Sequence, residues 1–329
     1  MTEADRTIRR ALVTGAGGFI GSHLVEALRR RAEVRAFVRY VSDGSAGNLE
    51  ELAPSKPIEI VRGDLRDPDA FRNAVQGCDT VFHLAAHISI PYGKLRPRDV
   101  FETNTTMTLN ALSSARDSGV ERLVLVSSSE VYGTARTVPI TEDHLLHPQS
   151  VYAASKVACD QLALGWARQI GAPEIVVPRP FNTYGPRQST RAVIPTILSQ
   201  ARRGDQIHLG NTKTTRDFLY VEDTARFMIA AGESGRAAGR VVQAGTGVET
   251  SIADLVDLLG RLLGKNLQVV TDSERVRGET EEVERLVADP ERARNLLGWK
   301  AEVSLEEGLR RTIDYFKGKG TESPAGYRV

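Results

Sequence analysis

The chain has 329 residues, of which 41% are hydrophobic and 26% charged, and its formal net charge is +1. That length exceeds one minimal core and suits a large α/β unit with a smaller lobe. The near-neutral balance gives no field favouring nucleic acid or an anionic membrane. Two cysteines, Cys78 and Cys159, exclude a disulfide framework, and no Cys/His spacing suggests a metal. No apolar run reaches the roughly 18 residues of a membrane span. The polar first ten residues are unlike a signal peptide, so the expected compartment is a reducing cytoplasm.

In chain order, apolar runs predict strands over residues 11–14, 34–38, 58–61, 80–84, 123–127 and 174–178. Helical patterns over 19–31, 68–75, 100–118 and 151–170 lie between them. This βαβ rhythm predicts a Rossmann-type, doubly wound parallel sheet whose strands are buried on both faces. After Asn182 the pattern changes, and Pro186, Pro195 and Gly204 punctuate shorter elements. A helix over 191–203, a strand over 206–209, helices over 252–263 and 305–316 and a loose tail from 318 are expected. The expected organisation is a dinucleotide-binding domain over residues 1–180, completed by parts of 212–245. A smaller C-terminal α/β substrate lobe covers mainly 181–329.

The first strand leads into the first helix through Thr14-Gly15-Ala16-Gly17-Gly18-Phe19-Ile20-Gly21. Gly15 permits the tight turn, Gly18 lets the backbone approach a pyrophosphate, and Gly21 lets helix and strand pack closely. Phe19 and Ile20 open the helix, whose free N–H groups and partial positive charge suit phosphates. A glycine triad alone is an ordinary turn; its place between strand and helix is what points to a dinucleotide. The second strand ends in Val38-Arg39-Tyr40, without the acid that usually meets the ribose of NAD. Arg39 either pairs a 2′-phosphate, which would favour NADP, or stacks on the adenine, or is solvated. Asp64, in Gly63-Asp64-Leu65, either accepts from the adenine amino group or serves a turn or helix cap.

Tyr152-Ala153-Ala154-Ser155-Lys156 puts a phenol and an ammonium on one face of a helix. The expectation is that Lys156 lowers the Tyr152 pKa from its ordinary value near ~10. Tyr152 then takes the proton from a substrate alcohol. Upstream, Ser127-Ser128-Ser129-Glu130-Val131-Tyr132-Gly133 follows a predicted strand at its carboxyl end, the edge where open α/β sheets bind ligands. A serine hydroxyl there can both donate to and accept from a reacting oxygen. Glu130 is either a general base or a structural acid holding the loop. For Ser127 a plain polar strand end also stays open.

With His83-Leu84-Ala85-Ala86 and Arg179-Pro180-Phe181-Asn182-x-Tyr184-Gly185-Pro186 added, the chain over about residues 8 to 317 resembles the extended short-chain dehydrogenase/reductase family. The likeness is to its nucleotide-sugar epimerase/dehydratase branch. The resemblance implies a seven-stranded Rossmann sheet, NAD as cofactor, and Ser128, Tyr152 and Lys156 as a catalytic triad. It puts Ala85 along the cofactor, Asp64 and Leu65 at the adenine, and Lys156 also on the nicotinamide ribose. On the substrate side it implies Asn182, Arg191, Val193, Arg216 and Arg277. A diphosphate suits arginine forks, although each arginine taken singly is also a surface salt bridge. Gly278 stands where the family usually has Pro. The helices over 100–118 and 151–170 resemble the pair that forms a four-helix homodimer interface.

Within the branch, residues 129–134, 138–142 and 181–196 are most similar to the 4,6-dehydratases of legionaminic-acid-type pathways, which act on nucleotide-linked N-acetylglucosamine. The reaction so implied oxidises C4 through Tyr152, removes the C5 proton through Glu130, expels the C6 hydroxyl and returns hydride to C6. Ser129 stands where glucose-type dehydratases have the aspartate that helps water leave. Three alternatives remain. A 4-epimerase needs only Ser128, Tyr152 and Lys156. A decarboxylase of a nucleotide-linked uronate is similar at 129–133. A dinucleotide-binding regulator would carry no chemistry. His83, His87, His144 and His147 read as structural or exposed.

Overall fold

A computed structural model describes residues 5–53, 56–275, 278 and 282–319. The first half runs β1 (Arg10–Thr14), α1 (Phe19–Leu28), β2 (Glu33–Arg39), β3 (Glu59–Gly63), α2 (Pro68–Val75), β4 (Thr80–His83), α3 (Ile90–Leu95), α4 (Pro97–Asp117), β5 (Arg122–Leu125), α5 (Val151–Trp166) and β6 (Glu174–Pro180). The second runs β7 (Asn182–Tyr184), α6 (Val193–Ala201), β8 (Gln206–Leu209), β9 (Thr215–Arg216), β10 (Phe218–Tyr220), α7 (Val221–Glu233), β11 (Arg240–Ala244), β12 (Thr250–Ser251), α8 (Ile252–Leu263), β13 (Gln268–Thr271), β14 (Arg285–Leu286), α9 (Glu291–Leu297) and α10 (Leu305–Lys317).

Seven strands pair in parallel in the order β11-β6-β5-β4-β1-β2-β3. The order reverses between β1 and β4, the switch point at which such sheets bind ligands. β4 and β5 are buried along their whole length, as strands covered by helices on both faces must be. On one face Leu24, Val25 and Leu28 of α1 meet Phe227 and Met228 of α7 over Val13, Phe82 and Val242. On the other, Phe71 of α2, Leu112 of α4 and Cys159 of α5 cover Leu12, Val81 and Leu123. A third core joins α6, α8 and α10 around Ile197, Leu255 and Leu309.

The ends of the helices follow local chemistry. Asp67 caps α2 by accepting from the Asp69 N–H, and Ser251 with Asp254 closes a capping box on α8. α1 and α5 stop at Leu28 and Trp166, short of the expected 31 and 170. Within the stretch 212–245, Arg240–Ala244 supplies the seventh strand and Val221–Glu233 the helix opposite α1. The short helix α3 has no counterpart among the expected elements, because Pro91 and Gly93 mask its pattern; Pro91 in fact sits in its first turn behind the Ser89 cap. The expected loose tail lies outside the described residues from position 320 on. Among the described residues no helix is long and apolar enough to cross a membrane.

Candidate active site

The carboxyl edge of the sheet gathers the expected residues one loop at a time. Gly15–Gly21 follow β1, Arg39 ends β2, Asp64 follows β3 and Ala85 follows β4; Ser127–Glu130 follow β5 and Asn182 follows β6.

The β1–α1 loop is shaped by contacts that leave no room for side chains. Gly15 has φ +68°, and a Cβ on it would lie 2.9 Å from the Ala85 backbone nitrogen. A Cβ on Gly21 would run into the Gly15 carbonyl. Gly18 occupies the N-cap of α1, where no side chain caps the helix and the first turn, which Phe19 and Ile20 open, has no acid. The opening N–H groups and the positive helix end are therefore available to an anion. Ala85 is held beside Gly15 by its N–H, which donates to Thr14 Oγ1 at 3.3 Å. Thr14 Oγ1 also bonds His83 Nδ1 at 2.9 Å, and burial, aided by the Lys156 charge, pushes His83 down to about 3. His83 is thus a neutral core histidine.

Arg39 is exposed at the end of β2, across from Gly63 in the strand register. Asp64 is held down to about 2, chiefly by hydrogen bonds from Arg66. Arg66 Nε reaches both carboxylate oxygens at 3.0 Å, and its backbone N–H donates to Asp64 Oδ1 at 2.9 Å. In this geometry Asp64 serves the turn. Leu65 is buried, and its carbonyl accepts from Asn110 Nδ2 at 2.9 Å.

Tyr152 and Lys156 lie on the inner face of α5, one turn apart, behind the Ser150 cap that accepts from the Ala153 N–H at 3.1 Å. Both are buried. Lys156 Nζ donates to the Val126 carbonyl at 2.5 Å. Tyr152 is pushed up to about 12 by burial, against the pull of its hydrogen bond with Ser128; the Glu130 charge raises it further. The expectation of a lowered tyrosine is therefore corrected. Burial disfavours the phenolate, and the ammonium head is directed to the Val126 carbonyl just past β5. Ser128 starts a tight helical turn over Ser129–Tyr132 and accepts from the Glu130 N–H at 3.2 Å. Ser129 is buried, whereas Ser128 and Glu130 are half-buried. Ser127 is buried beside Asp160, whose charge it favours.

On the substrate side, Asn182 opens β7, and its Oδ1 is buried without a hydrogen-bond partner among the described residues. Arg191 is exposed on the approach to α6, and Val193 is its first residue; this helix also starts without a side-chain cap or an acid. Arg216 is mostly buried at the end of β9, with Nη1 on the Thr215 carbonyl at 2.9 Å and Nη2 3.8 Å from Glu282. Arg277 lies outside the described residues.

Two features escaped the sequence reading. Asn104 on α4 is buried; its Oδ1 accepts from the His87 N–H at 2.7 Å, and its Nδ2 donates to the His87 carbonyl at 3.1 Å and to Ser155 Oγ at 2.9 Å. It ties the loop after β4 to the helix of Tyr152 and Lys156. The signal was a polar residue on the inward stripe Val100, Asn104, Met107, Ala111. The other is the buried pair of Asp160, one turn beyond Lys156, with Arg179 of β6.

A parallel sheet with a glycine-rich first turn, a tyrosine–lysine helix and serines after the fifth strand defines an enzyme of the extended short-chain dehydrogenase/reductase class. The chain belongs to the GDP-mannose 4,6 dehydratase family, whose family model matches residues 12–312. It is 33% identical to a UDP-glucose 4-epimerase of Mycolicibacterium smegmatis, over 94% of this chain and 99% of that one. It is also 33% identical to a UDP-N-acetyl-alpha-D-glucosaminuronate decarboxylase of Bacillus cytotoxicus, over 94% and 98%. Among solved structures it is similar to a double mutant of DesIV, the dTDP-glucose 4,6-dehydratase of Streptomyces venezuelae, with NAD and DAU bound. There the TM-score is 0.84 and the identity 29%, over 94% of this chain and 97% of that one. Family members thus act on nucleotide sugars as dehydratases, epimerases and decarboxylases.

Proposed function

We propose that this chain is an NAD-dependent nucleotide-sugar 4,6-dehydratase that acts on an NDP-N-acetylglucosamine-like substrate through a transient 4-keto sugar. The observation that carries the reading is Glu130. It sits half-buried in the turn that Ser128 begins, and its charge is felt by Tyr152. The site therefore has a second proton acceptor beside the tyrosine, which a 4-epimerase does not need.

The β1–α1 loop fits a dinucleotide on two observations: the uncapped, acid-free start of α1 and the glycines whose Cβ positions are blocked by backbone. NAD bound there supplies the acceptor and later the donor of one hydride. Tyr152 in its phenolate form, which burial disfavours here and which the positive charge of bound NAD would favour, takes the proton of the C4 hydroxyl while Ser128 bonds the same oxygen. Once C4 is a ketone the C5 hydrogen is acidic, and Glu130 removes it. The proton gained by Glu130 goes to the C6 hydroxyl, which leaves as water, with Ser129, a weak acid, at most a relay; the hydride returns to C6 and C5 regains a proton, equivalent to the one Tyr152 took from the C4 hydroxyl, so that only water is lost. Asn182, Arg216 and Arg277 hold the nucleotide diphosphate, and Arg191 and Val193 contribute to the rest of the substrate site. Residues 181–319, apart from α7 and β11, serve as the substrate lobe. Arg39 leaves NADP as the alternative cofactor, to be decided by titrating both. The second copy of a homodimer packs on α4 and α5, where Phe101, Leu109 and Leu162 are exposed; sedimentation of the wild type and of Leu109→Glu tests this.

The deciding experiment incubates the protein with UDP-, GDP- and dTDP-linked glucose, N-acetylglucosamine and glucuronate, without added reductant. The mass of a water molecule should be lost from one acetamido sugar, giving a 4-keto-6-deoxy product. A C4 epimer alone would make the chain an epimerase, and carbon dioxide from the uronate would make it a decarboxylase. Cofactor binding without turnover would favour a regulator.

A further inference from the structure

We propose that the buried chain Asp160–Arg179–Tyr132–Gln243 is a positioning device that fixes the turn carrying Ser128 and Glu130 relative to Tyr152 and Lys156. The inference deepens the functional reading above and rests on it for the roles of those residues. Asp160 is on α5, at the spacing that continues Tyr152 and Lys156 along one helix face. Its Oδ2 accepts from Arg179 Nε at 3.0 Å and from Arg179 Nη2 at 2.7 Å. Arg179 is on β6, and its third nitrogen, Nη1, donates to the Tyr132 hydroxyl at 2.9 Å. The guanidinium carbon also lies 5.0 Å from the centre of the Tyr132 ring. Tyr132 closes the Ser129–Tyr132 turn, and its hydroxyl donates onward to Gln243 Oε1 of β11 at 2.9 Å. Gln243 Nε2 then holds the carbonyls of Ile140 and Asp289, and its backbone N–H donates to Glu142.

One chain of hydrogen bonds thus joins the helix of the phenol and ammonium, two strands of the sheet and the far end of the turn. The near end of that turn is held by Ser128 itself. All four members are buried. A buried guanidinium–carboxylate pair is costly to desolvate, and apolar residues of the same volume would often stabilise the fold as well or better. What such groups add here is direction. Arg179 uses Nε, Nη1 and Nη2 on two partners in fixed geometry, so that a shift of the turn against α5 breaks a bond in a place no water can repair. Around the turn the Val131 and Gly133 N–H groups donate to the Ser128 and Glu130 carbonyls and the His147 N–H donates to the Val131 carbonyl, while the Tyr132 hydroxyl supplies the anchor to the sheet and α5.

The test compares Tyr132→Phe and Arg179→Lys with wild type. Tyr132→Phe keeps the ring against Arg179 and removes only the bridge. For it we expect kcat to fall by about 10- to 100-fold with KM unchanged, the size of effect that misplacement of reacting groups produces. The acid limb of its pH–rate profile should also move. Arg179→Lys keeps the charge but loses the fork that reaches Asp160 and Tyr132 together, and should lose at least as much. In parallel, ring-labelled tyrosine NMR follows Tyr152, assigned by Tyr152→Phe, in the full-length protein with NAD. Its resonance and titration should shift in Tyr132→Phe, because the Ser128 hydrogen bond to Tyr152 is disturbed. Wild-type kcat per folded molecule and an unmoved Tyr152 titration in both variants would overturn the proposal, even where melting temperature drops. If the wild type turns over no nucleotide sugar, the functional reading fails by itself, and the Tyr152 titration still decides whether the chain positions the turn.

Discussion

The two sides of the sheet's carboxyl edge are built by different means. On the cofactor side, the β1–α1 loop is determined by backbone: Gly15 turns at positive φ against Ala85, and Gly21 packs on the Gly15 carbonyl. On the catalytic side, the turn after β5 is determined by side chains that come from far along the chain, Asp160, Arg179 and Gln243. The first kind of site is broken by adding an atom, and its damage appears in binding. The second is broken by removing a hydrogen bond, and its damage appears in turnover.

The sharpest test of that contrast is Tyr152→Phe. Loss of the general acid–base group should lower kcat by about 10³- to 10⁴-fold, with NAD affinity unchanged by calorimetry. Tyr152 also predicts a pH signature. Its folded value of about 12 lies above the ordinary ~10 of an exposed tyrosine, so the protonated form is favoured by folding. That contribution to stability is complete below pH ~10 and is lost as pH rises toward 12. Urea melts at pH 8 and pH 11 should therefore converge more in Tyr152→Phe than in wild type. An identical alkaline loss in the two proteins would mean that burial is not what holds the phenol neutral.

Glu130→Gln comes next and separates the dehydratase from the epimerase. Water loss should fall by about 10²- to 10³-fold. Oxidation at C4, read as a transient rise of reduced cofactor absorbance, should persist, and deuterium uptake at C5 from heavy water should fall with water loss. If water loss is untouched, Glu130 is a loop-holding acid and the proton acceptor lies elsewhere.

Legibility divided along the same line. The parallel sheet could be read because each strand is an apolar run of its own, and the phosphate loop because glycine spacing encodes backbone shape directly. Tyr152 and Lys156 could be read because one helical turn separates them. The seventh strand, Arg240–Ala244, could only be bracketed, since its membership in the sheet depends on β6 and not on its own sequence. The Asp160–Arg179 pair was invisible for the same reason: its two residues are polar positions on a helix and a strand that only the fold turns inward. Asn104 differs, because a carboxamide among inward apolar positions of α4 is a local signal. The ionisation of Tyr152 was misread because spacing reports a neighbour's charge and says nothing of burial.

Gly21→Ala tests the cofactor side. Its Cβ would meet the Gly15 carbonyl, so either the loop shifts or α1 moves off the sheet. NAD affinity should weaken by about tenfold or more, with kcat at saturating cofactor little changed, since no group of the Ser128–Tyr152 cluster moves. A fall in kcat at unchanged affinity would erase the contrast between the two sides.

The smallest effect is expected at Asp64, where the resemblance and the geometry point in different directions. The resemblance puts the carboxylate on the adenine amino group; the structure puts it on Arg66, through four separate contacts within the turn. A carboxylate held to about 2 by an adjacent guanidinium contributes stability above its ordinary pKa and loses it as pH falls through 2. With side chains 48% and 44% exposed, the Arg66–Asp64 pair is worth less than ~1 kcal/mol. Asp64→Asn should therefore change unfolding free energy by less than that and NAD affinity by no more than about threefold, because the carboxamide oxygen can still accept the Arg66 N–H. If instead the affinity drops by about tenfold or more, the carboxylate leaves Arg66 for the adenine. Arg66→Ala should then tighten NAD binding by removing the competitor, whereas under the turn assignment it leaves binding where it was. Calorimetry on these two variants separates an aspartate that shapes the loop from one that reads the base.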